Sequence, residues 1–280
     1  LGSFSTKFNI SNTDRSTNLK LATNKVNGTI VMPGEIFSYN KVVGKRTVEA
    51  GFKEAGAYVG GEIVQEVGGG ICQVSSTLYN AALYANLEIV ERHNHYFESS
   101  YVAASRDATV SWGTLDFKFK NNRTYPIKIV ATCKNGIVTT TIYGIPEETE
   151  YEVIIQSKVT SKIERNTKYE EDNTIELGKE VVTQTGHDGC TSEAYKILRL
   201  NGEKISTTLL SKDTYHALDM IIKKGTKKTV ETSANVVNTE SNEEKNTEEK
   251  SPNEIENEII ENTAENEIEN NTIQNSIIDE

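Results

Sequence analysis

One cysteine and two histidines flank a single short helical segment, GGGICQVSSTLYNAALYANLEIVERHNH, which occupies residues 68–95. The three glycines before Cys72 allow the backbone a close approach or a conformation that other residues resist. Apolar residues then recur at helical spacing, which predicts a helix from Cys72 to about Ala85. Unpaired backbone N–H groups at the first turn of a helix favour negative charge and lower the pKa of a thiol placed there. These residues therefore indicate a thiol nucleophile.

A thiol nucleophile requires a base and a group that orients the base. The segment LEIVER predicts a strand that leads directly to two histidines beside the helix. We predict Cys72 as the nucleophile and His95 as the general base, with His93 as the alternate base. Asp107 is the expected orienting carboxylate, and Asp116 is the second choice.

The same segment and its neighbours supply candidates for substrate binding. Backbone N–H groups at Gly69 and Gly70, together with the side chain of Gln73, are predicted to stabilise an oxyanion. Arg92 and Arg106 are predicted to bind a substrate carboxylate, such as the terminus of a peptide.

A structural role for these residues is the alternative. Cys72 then is a buried helix residue, and His93 and His95 hydrogen-bond to loops. A metal site built from these three side chains lacks a carboxylate at ligand spacing, so we expect no metal and no other cofactor.

Charge and cysteine usage exclude several classes of protein. Residues 231–280 carry 15 acidic and 2 basic side chains, whereas the rest of the chain carries 26 acidic and 28 basic ones. Without a basic cluster, we expect no nucleic-acid partner. The three cysteines show no CxxC spacing, which argues against a zinc ribbon or a dense disulfide framework. No apolar run reaches the roughly 18 residues that predict a membrane-spanning helix. Because the chain begins at Leu1, any signal peptide or anchor is expected upstream.

The predicted organisation has three parts. Residues 1–146 are predicted to be α+β, with a mostly antiparallel sheet around the helix that begins at Cys72. Asp14 or Ser16 is expected to cap a first helix, and the predicted strands include ATVSW, TLDFKFK, YPIKIVATC and IVTTTIYG, the last two joined by an Asn-Gly turn. Residues 150–228 predict a slender all-β module. Residues 231–280 are low in complexity, rich in Glu and Asn and without aromatics, which predicts disorder.

Several separated motifs resemble one family. SFSTKF, NGTIVMPGEIFSYN, GGGICQVSSTLYNAAL, EIVERHNH and SRDATVSWGTLDFKFKNN are together similar to the VanW domain, over about residues 3–130. That family takes its name from an accessory protein of vancomycin-resistance clusters and occurs mainly on Gram-positive surfaces. The resemblance implies a location and an architecture, but it implies no reaction.

The region that follows, about residues 150–228, resembles the G-five domain, an extended β module named for its glycines. The motifs LGKEVVTQTGHDG and KKGTK carry this resemblance. It implies that the glycines at positions 178, 186, 189, 202 and 225 are the family's glycines and that the module binds N-acetylglucosamine or other amino sugars.

The predicted function is therefore that of an extracellular protein of a Gram-positive-type cell wall whose partner is peptidoglycan. One hypothesis is a cysteine-dependent acyltransferase or amidase acting on stem peptides, with a papain-like or transglutaminase-like arrangement. The alternative is a non-catalytic surface protein of the VanW type that binds peptidoglycan or its amino sugars. The sequence carries no signal for the oligomeric state.

Overall fold

The computed structural model describes residues 1–59 and 62–227. Its helices are α1 (Thr13–Val26), α2 (Tyr39–Val43) and α3 (Cys72–Tyr84). The strands in the first half of the chain are β1 (Gly2–Lys7), β2 (Ile30–Val31), β3 (Ile36–Ser38), β4 (Glu54–Val59), β5 (Glu62–Val67), β6 (Glu88–Glu91), β7 (Lys118–Lys120), β8 (Ile127–Lys134) and β9 (Ile137–Tyr143). The strands that follow are β10 (Glu152–Ile163), β11 (Thr167–Glu176), β12 (Glu180–Gln184), β13 (Gly189–Leu200), β14 (Glu203–Tyr215) and β15 (Met220–Lys227).

The core of the N-terminal region, residues 1–146, lies between helices and an antiparallel sheet in the order β1-β9-β8-β2. β8 alternates buried and exposed residues, as expected of a strand with one face on a core. α1 packs against β8, and α3 packs against β1 and β9. A second antiparallel sheet, β3-β7-β6, and the hairpin β4-β5 complete this region. The predicted α+β class with a mostly antiparallel sheet is confirmed.

α3 is buried on every side: all residues from Gln73 to Leu83 are buried. An amphipathic helix would expose one face, so this helix is a central element of the core. Its polar side chains are satisfied internally; Thr77 Oγ1 lies 2.8 Å from Thr6 Oγ1, and Ser75 Oγ donates to the Ala108 carbonyl at 2.6 Å. The helix begins at Cys72 as the sequence predicts.

Two local predictions are wrong. The segment ATVSW is not a strand. It runs beside α3 and hydrogen-bonds to side chains of that helix, with the Ala108 N–H donating to Ser76 Oγ at 2.9 Å. The N-cap of α1 is Asn12 instead of Asp14 or Ser16, and its side chain accepts from the Arg15 N–H. The Asn135-Gly136 turn between β8 and β9 is present, with φ values of 52° and 76°.

The C-terminal region, residues 150–227, is all β as predicted. β10, β13 and β14 form one antiparallel sheet. In the second sheet β15 pairs parallel with β11 and antiparallel with β12. Both regions belong to one compact unit of the chain. The predicted disorder of residues 231–280 concerns a segment outside the described residues. Among the described residues, no helix is both long and apolar enough to span a bilayer.

Candidate active site

Cys72 lies at the first position of α3 and is partly exposed. The Val110 N–H donates to its Sγ at 3.5 Å, and Thr109 Oγ1 lies 3.6 Å from the same sulfur. The His95 side chain also interacts with the thiol. Burial opposes ionisation, but the hydrogen bond and positive charge of His95 outweigh it and lower the pKa of Cys72 to about 7. A much larger share of this thiol is therefore ionised at neutral pH than of an ordinary cysteine.

His95 follows the end of β6 and connects Cys72 to Asp107. Its Nδ1 lies 2.6 Å from Asp107 Oδ2, and its backbone N–H donates to the same oxygen at 2.7 Å. Burial disfavours the charged ring, but hydrogen bonds to Asp107 and Cys72 raise the pKa of His95 to about 10. The ring is therefore held as an imidazolium between a carboxylate and a thiolate.

Asp107 is 1% exposed, and donors surround its carboxylate. Arg92 Nη2 donates to Oδ1 at 2.8 Å, and the Tyr215 hydroxyl donates to the same oxygen at 2.5 Å. Burial raises the cost of its charge, yet His95 and Arg92 lower the pKa of Asp107 to about 2. The structure thus brings together Cys72, His95 and Asp107: His95 hydrogen-bonds to Asp107 and interacts with the thiol of Cys72.

The glycine loop before Cys72 lets two arginines lie against it. A Cβ at Gly70, where φ is +93°, would lie 2.7 Å from Cγ of Arg15, and a Cβ at Gly68 would lie 2.8 Å from Cβ of Arg46. A Cβ at Gly69 would lie 2.2 Å from the Ala55 carbonyl oxygen. Glycine is therefore required at these three positions on steric grounds. This packing explains Gly69 and Gly70 without an oxyanion role, which stays a prediction.

Both arginines also interact electrostatically with Cys72. Arg15 Nη2 donates to Gln73 Oε1 at 2.6 Å, and Arg46 Nη1 donates to Asn40 Oδ1 at 2.7 Å. The Nε and Nη2 atoms of Arg46 are buried and have no hydrogen-bond partner among the described residues. Sequence reasoning missed both arginines because they lie 57 and 26 positions before Cys72, outside any motif.

The Gln73 side chain is not placed as predicted. Its Nε2 donates to Thr6 Oγ1 at 3.0 Å and to the Lys7 carbonyl at 2.7 Å, and the residue is fully buried. Both amide hydrogens are therefore used within the protein, so we assign Gln73 to the attachment of α3 to β1. The backbone N–H of Cys72, at the first turn of the helix, remains as an oxyanion donor.

Arg92 and Arg106 likewise act inside the protein instead of facing a substrate. Arg92 pairs with Asp107 and Asp213, and its side chain is 7% exposed. Arg106 Nε donates to Asn80 Oδ1, and its other nitrogens donate to Tyr84 Oη and to a backbone carbonyl. Buried guanidinium groups with these partners are not available to a carboxylate from solution, and the prediction that they bind substrate is corrected.

The alternates His93 and Asp116 lie elsewhere. His93 Nε2 lies 3.2 Å from Glu91 Oε1, and its side chain is 41% exposed. Asp116 accepts hydrogen bonds from Asn40 and Phe117 N–H groups, which anchors the start of α2. Neither side chain contacts Cys72 in the part of the chain that the structure describes.

Tyr101 is a site residue that the sequence did not identify. Its hydroxyl lies 3.3 Å from His95 Nε2. Burial raises the pKa of Tyr101 well above its ordinary range, so the phenol stays protonated. Within the described residues, no group of three or more His, Cys, Asp or Glu side chains is arranged to hold a metal ion.

Comparison with known families matches two models to the chain. Residues 14–143 match the family described as VanW like protein, and residues 154–227 match the G5 domain. The chain therefore carries a VanW-like domain followed by a G5 domain, and both predicted resemblances are confirmed.

Two curated relatives match part of the chain. An uncharacterized protein of Bacillus subtilis (strain 168), YoaR, is 48% identical over 144 residues, which are 51% of this chain and 48% of the relative. Vancomycin B-type resistance protein VanW of Enterococcus faecalis (strain ATCC 700802 / V583) is 33% identical over 110 residues, which are 38% of this chain and 40% of the relative. The chain thus spans about half the length of these relatives or less.

Two solved structures of G5 domains match part of the chain. The IgA1 protease G5 domain is 27% identical, with a TM-score of 0.21, and covers 29% of this chain and 98% of its own. The structure titled HP0197-G5 is 22% identical, with a TM-score of 0.18, and covers 28% of this chain and 100% of its own.

Proposed function

We propose that this chain is a cell-envelope enzyme that performs cysteine-dependent acyl transfer or amide hydrolysis on the stem peptides of peptidoglycan. The observation that carries the proposal is the grouping of Cys72, at the start of a buried helix, with His95, which interacts with its thiol and hydrogen-bonds to Asp107. Nucleophile, base and orienting carboxylate in this order are the arrangement used by thiol-dependent acyl transfer on unrelated folds.

In the first step the Cys72 thiolate attacks the carbonyl carbon of the scissile amide. The carbonyl π electrons move to oxygen, and the backbone N–H of Cys72 stabilises the resulting oxyanion. When the tetrahedral intermediate collapses, the C–N bond breaks and the imidazolium of His95 gives its proton to the departing amine. The products of this step are a thioester on Cys72, a free amine and a neutral imidazole.

In the second step a water molecule or an acceptor amine attacks the thioester. Neutral His95 removes one proton from this nucleophile, and the C–S bond breaks as the thiolate leaves. The acyl group is released as a carboxylic acid or as a new amide, and the thiolate–imidazolium pair is restored. Asp107 holds the ring in one orientation through both steps and keeps its negative charge.

The charge around the thiol supports an anionic substrate. Arg15 and Arg46 lie against the glycine loop beside Cys72, and Arg46 has two nitrogens without a hydrogen-bond partner among the described residues. Guanidinium groups bind carboxylates through paired hydrogen bonds. We therefore assign recognition of a substrate carboxylate to Arg15 and Arg46 instead of Arg92 and Arg106.

The location is part of the proposal. The VanW-like and G5 domains, together with a relative named for vancomycin resistance, support an extracellular, wall-associated protein of a Gram-positive-type envelope. Peptidoglycan is the proposed partner, and the G5 domain is proposed to bind its amino sugars.

The test is incubation of the full chain with defined muropeptides, followed by mass spectrometry of the products and of the protein. We expect new products and an acyl adduct on Cys72, both absent from Cys72→Ala. Cys133→Ala is the matched control, because burial raises the pKa of Cys133 and its removal should leave turnover intact. Binding of wild type and Cys72→Ala to sacculi without product or adduct would overturn the reaction in favour of the non-catalytic alternative.

A further inference from the structure

We propose that the C-terminal region, which matches the G5 domain, forms part of the catalytic site in addition to any binding of sugars. In this proposal it holds Asp107 and the segment that carries His95, and Tyr215 is the central positioning residue. The proposal rests on the proposed function, which assigns His95 as the base and Asp107 as its orienting carboxylate. It rests on three separate sets of contacts between the N-terminal and C-terminal regions.

The first set fixes one oxygen of Asp107. Tyr215 ends β14, is fully buried and donates its hydroxyl hydrogen to Asp107 Oδ1 at 2.5 Å. The same hydroxyl oxygen accepts the Ser105 N–H at 2.7 Å. Ser105 has φ +65°, an uncommon conformation for a residue with a side chain, and its hydroxyl lies 2.6 Å from Ser192 Oγ on β13. The backbone that leads into Asp107 is thus held by two strands of the C-terminal region.

The second set is a buried chain of charges. Arg92 places Nη2 on Asp107 Oδ1 and Nη1 on Asp213 Oδ1, at 2.8 and 2.6 Å. The three side chains are each at most 7% exposed. Asp213 lies on β14 two residues before Tyr215, so one strand supplies both contacts. Removing one member would leave a buried charge without its partner, which is costly.

The third set holds the residues on both sides of His95. Asn94 Nδ2 donates to the Thr214 carbonyl at 2.9 Å, and the His216 N–H donates to the Tyr96 carbonyl at 2.8 Å. The rings of Tyr96 and His216 also stack at a centroid distance of 4.0 Å. The C-terminal region therefore fixes the residues immediately before and after the proposed base.

Together these contacts leave Asp107 Oδ2 directed at His95 while Oδ1 is saturated from the other side. Catalytic side chains keep their geometry when neighbouring residues fix them by packing and hydrogen bonds. The C-terminal region supplies these neighbouring contacts for the base and its carboxylate, whereas the glycine loop and α3 position the nucleophile.

The test is Tyr215→Phe in the full chain, with Tyr195→Phe as the matched control. Tyr195 lies on β13 of the same sheet and donates its hydroxyl hydrogen to Glu193, so the control removes a hydroxyl that does not contact Asp107. The readout is the pH profile of Cys72 alkylation. We expect Tyr215→Phe to raise the midpoint by about one pH unit, because a carboxylate and an imidazolium that are no longer held in place stabilise the thiolate less. We expect Tyr195→Phe to leave it unchanged.

A midpoint in Tyr215→Phe that equals or falls below that of the unmodified protein would overturn the inference. If circular dichroism shows that Tyr215→Phe does not fold, Ser192→Ala is measured instead, since it removes the contact to Ser105 without removing a charge, and the same rise in the midpoint is expected. Alkylation requires no muropeptide, so the two proposals fail separately. A shifted profile without turnover would refute only the reaction, whereas turnover with an unshifted profile would refute only the role of the C-terminal region.

Discussion

Replacing His95 by alanine should return the Cys72 thiol to an ordinary or higher pKa. In the native protein the hydrogen bond and charge of His95 lower the pKa of Cys72 to about 7, against burial that raises it. Without His95, burial is opposed by the weaker contributions of Val110 and Thr109. The midpoint of ionisation should therefore move from about 7 to about 9 or above, a change of roughly 2.7 kcal/mol in the free energy of ionisation.

The expected rate change follows from this shift. At pH 7 about half of the native thiols are ionised, compared with about one in a hundred in His95→Ala. A thiolate of higher pKa is more nucleophilic by roughly tenfold over this range, which offsets part of the loss. Alkylation of Cys72 at pH 7 should fall about fivefold, while the midpoint of the pH profile moves fully.

The assay is alkylation with iodoacetamide across pH, with the peptide containing Cys72 quantified by mass spectrometry. Burial raises the pKa of Cys133, and burial together with Glu98 raises that of Cys190 to about 11, so neither thiol competes near neutral pH. His93→Ala is the control and should keep the native midpoint, since His93 contacts Glu91. A midpoint that stays near 7 in His95→Ala would refute the assignment of His95.

Two further substitutions test the glycine loop and its arginines. Gly70→Ala should lower the free energy of unfolding by about 1–3 kcal/mol in urea titrations, because φ is +93° and the new Cβ meets Arg15. Gly113→Ala is the control, since φ is +83° there and nothing among the described residues surrounds the new Cβ, and it should lower the free energy of unfolding by less. Equal losses in the two variants would exclude a clash with Arg15. Arg46→Gln should raise the pKa of Cys72 and the KM for a muropeptide with a free carboxylate, and an unchanged KM would remove Arg46 from substrate recognition.

The sequence predicts the parts of this protein that depend on local patterns. Helical periodicity after three glycines locates the start of α3 at Cys72, and the Asn135-Gly136 pair locates the turn between β8 and β9. The choice of His95 and Asp107 beside Cys72 used residue chemistry and proximity along the chain. The structure places these side chains in contact, while their catalytic roles remain a prediction.

The sequence fails where partners are distant. Asp213, which pairs with Arg92, lies 121 residues further along the chain, and no sequence spacing indicates this pair. The sequence therefore predicts an Arg92 that is free to bind a substrate. Tyr215 is equally remote from Asp107, at 108 residues, so its contact depends on the packing of two regions. Apolar and polar residues alternate in the segment ATVSW as they do in a strand. Its backbone, however, hydrogen-bonds to hydroxyl groups of α3, such as that of Ser76, and not to a neighbouring strand.

The most direct test of the central claim is a titration of His95 by nuclear magnetic resonance in the unmodified full chain, with the His95 signals identified by their loss in His95→Ala. Hydrogen bonds to Asp107 and Cys72 raise the pKa of His95 to about 10 against the effect of burial. The account predicts an imidazolium at pH 8, where an ordinary histidine is neutral. A ring that loses its proton near pH 6.5 would contradict a thiolate–imidazolium pair at this site.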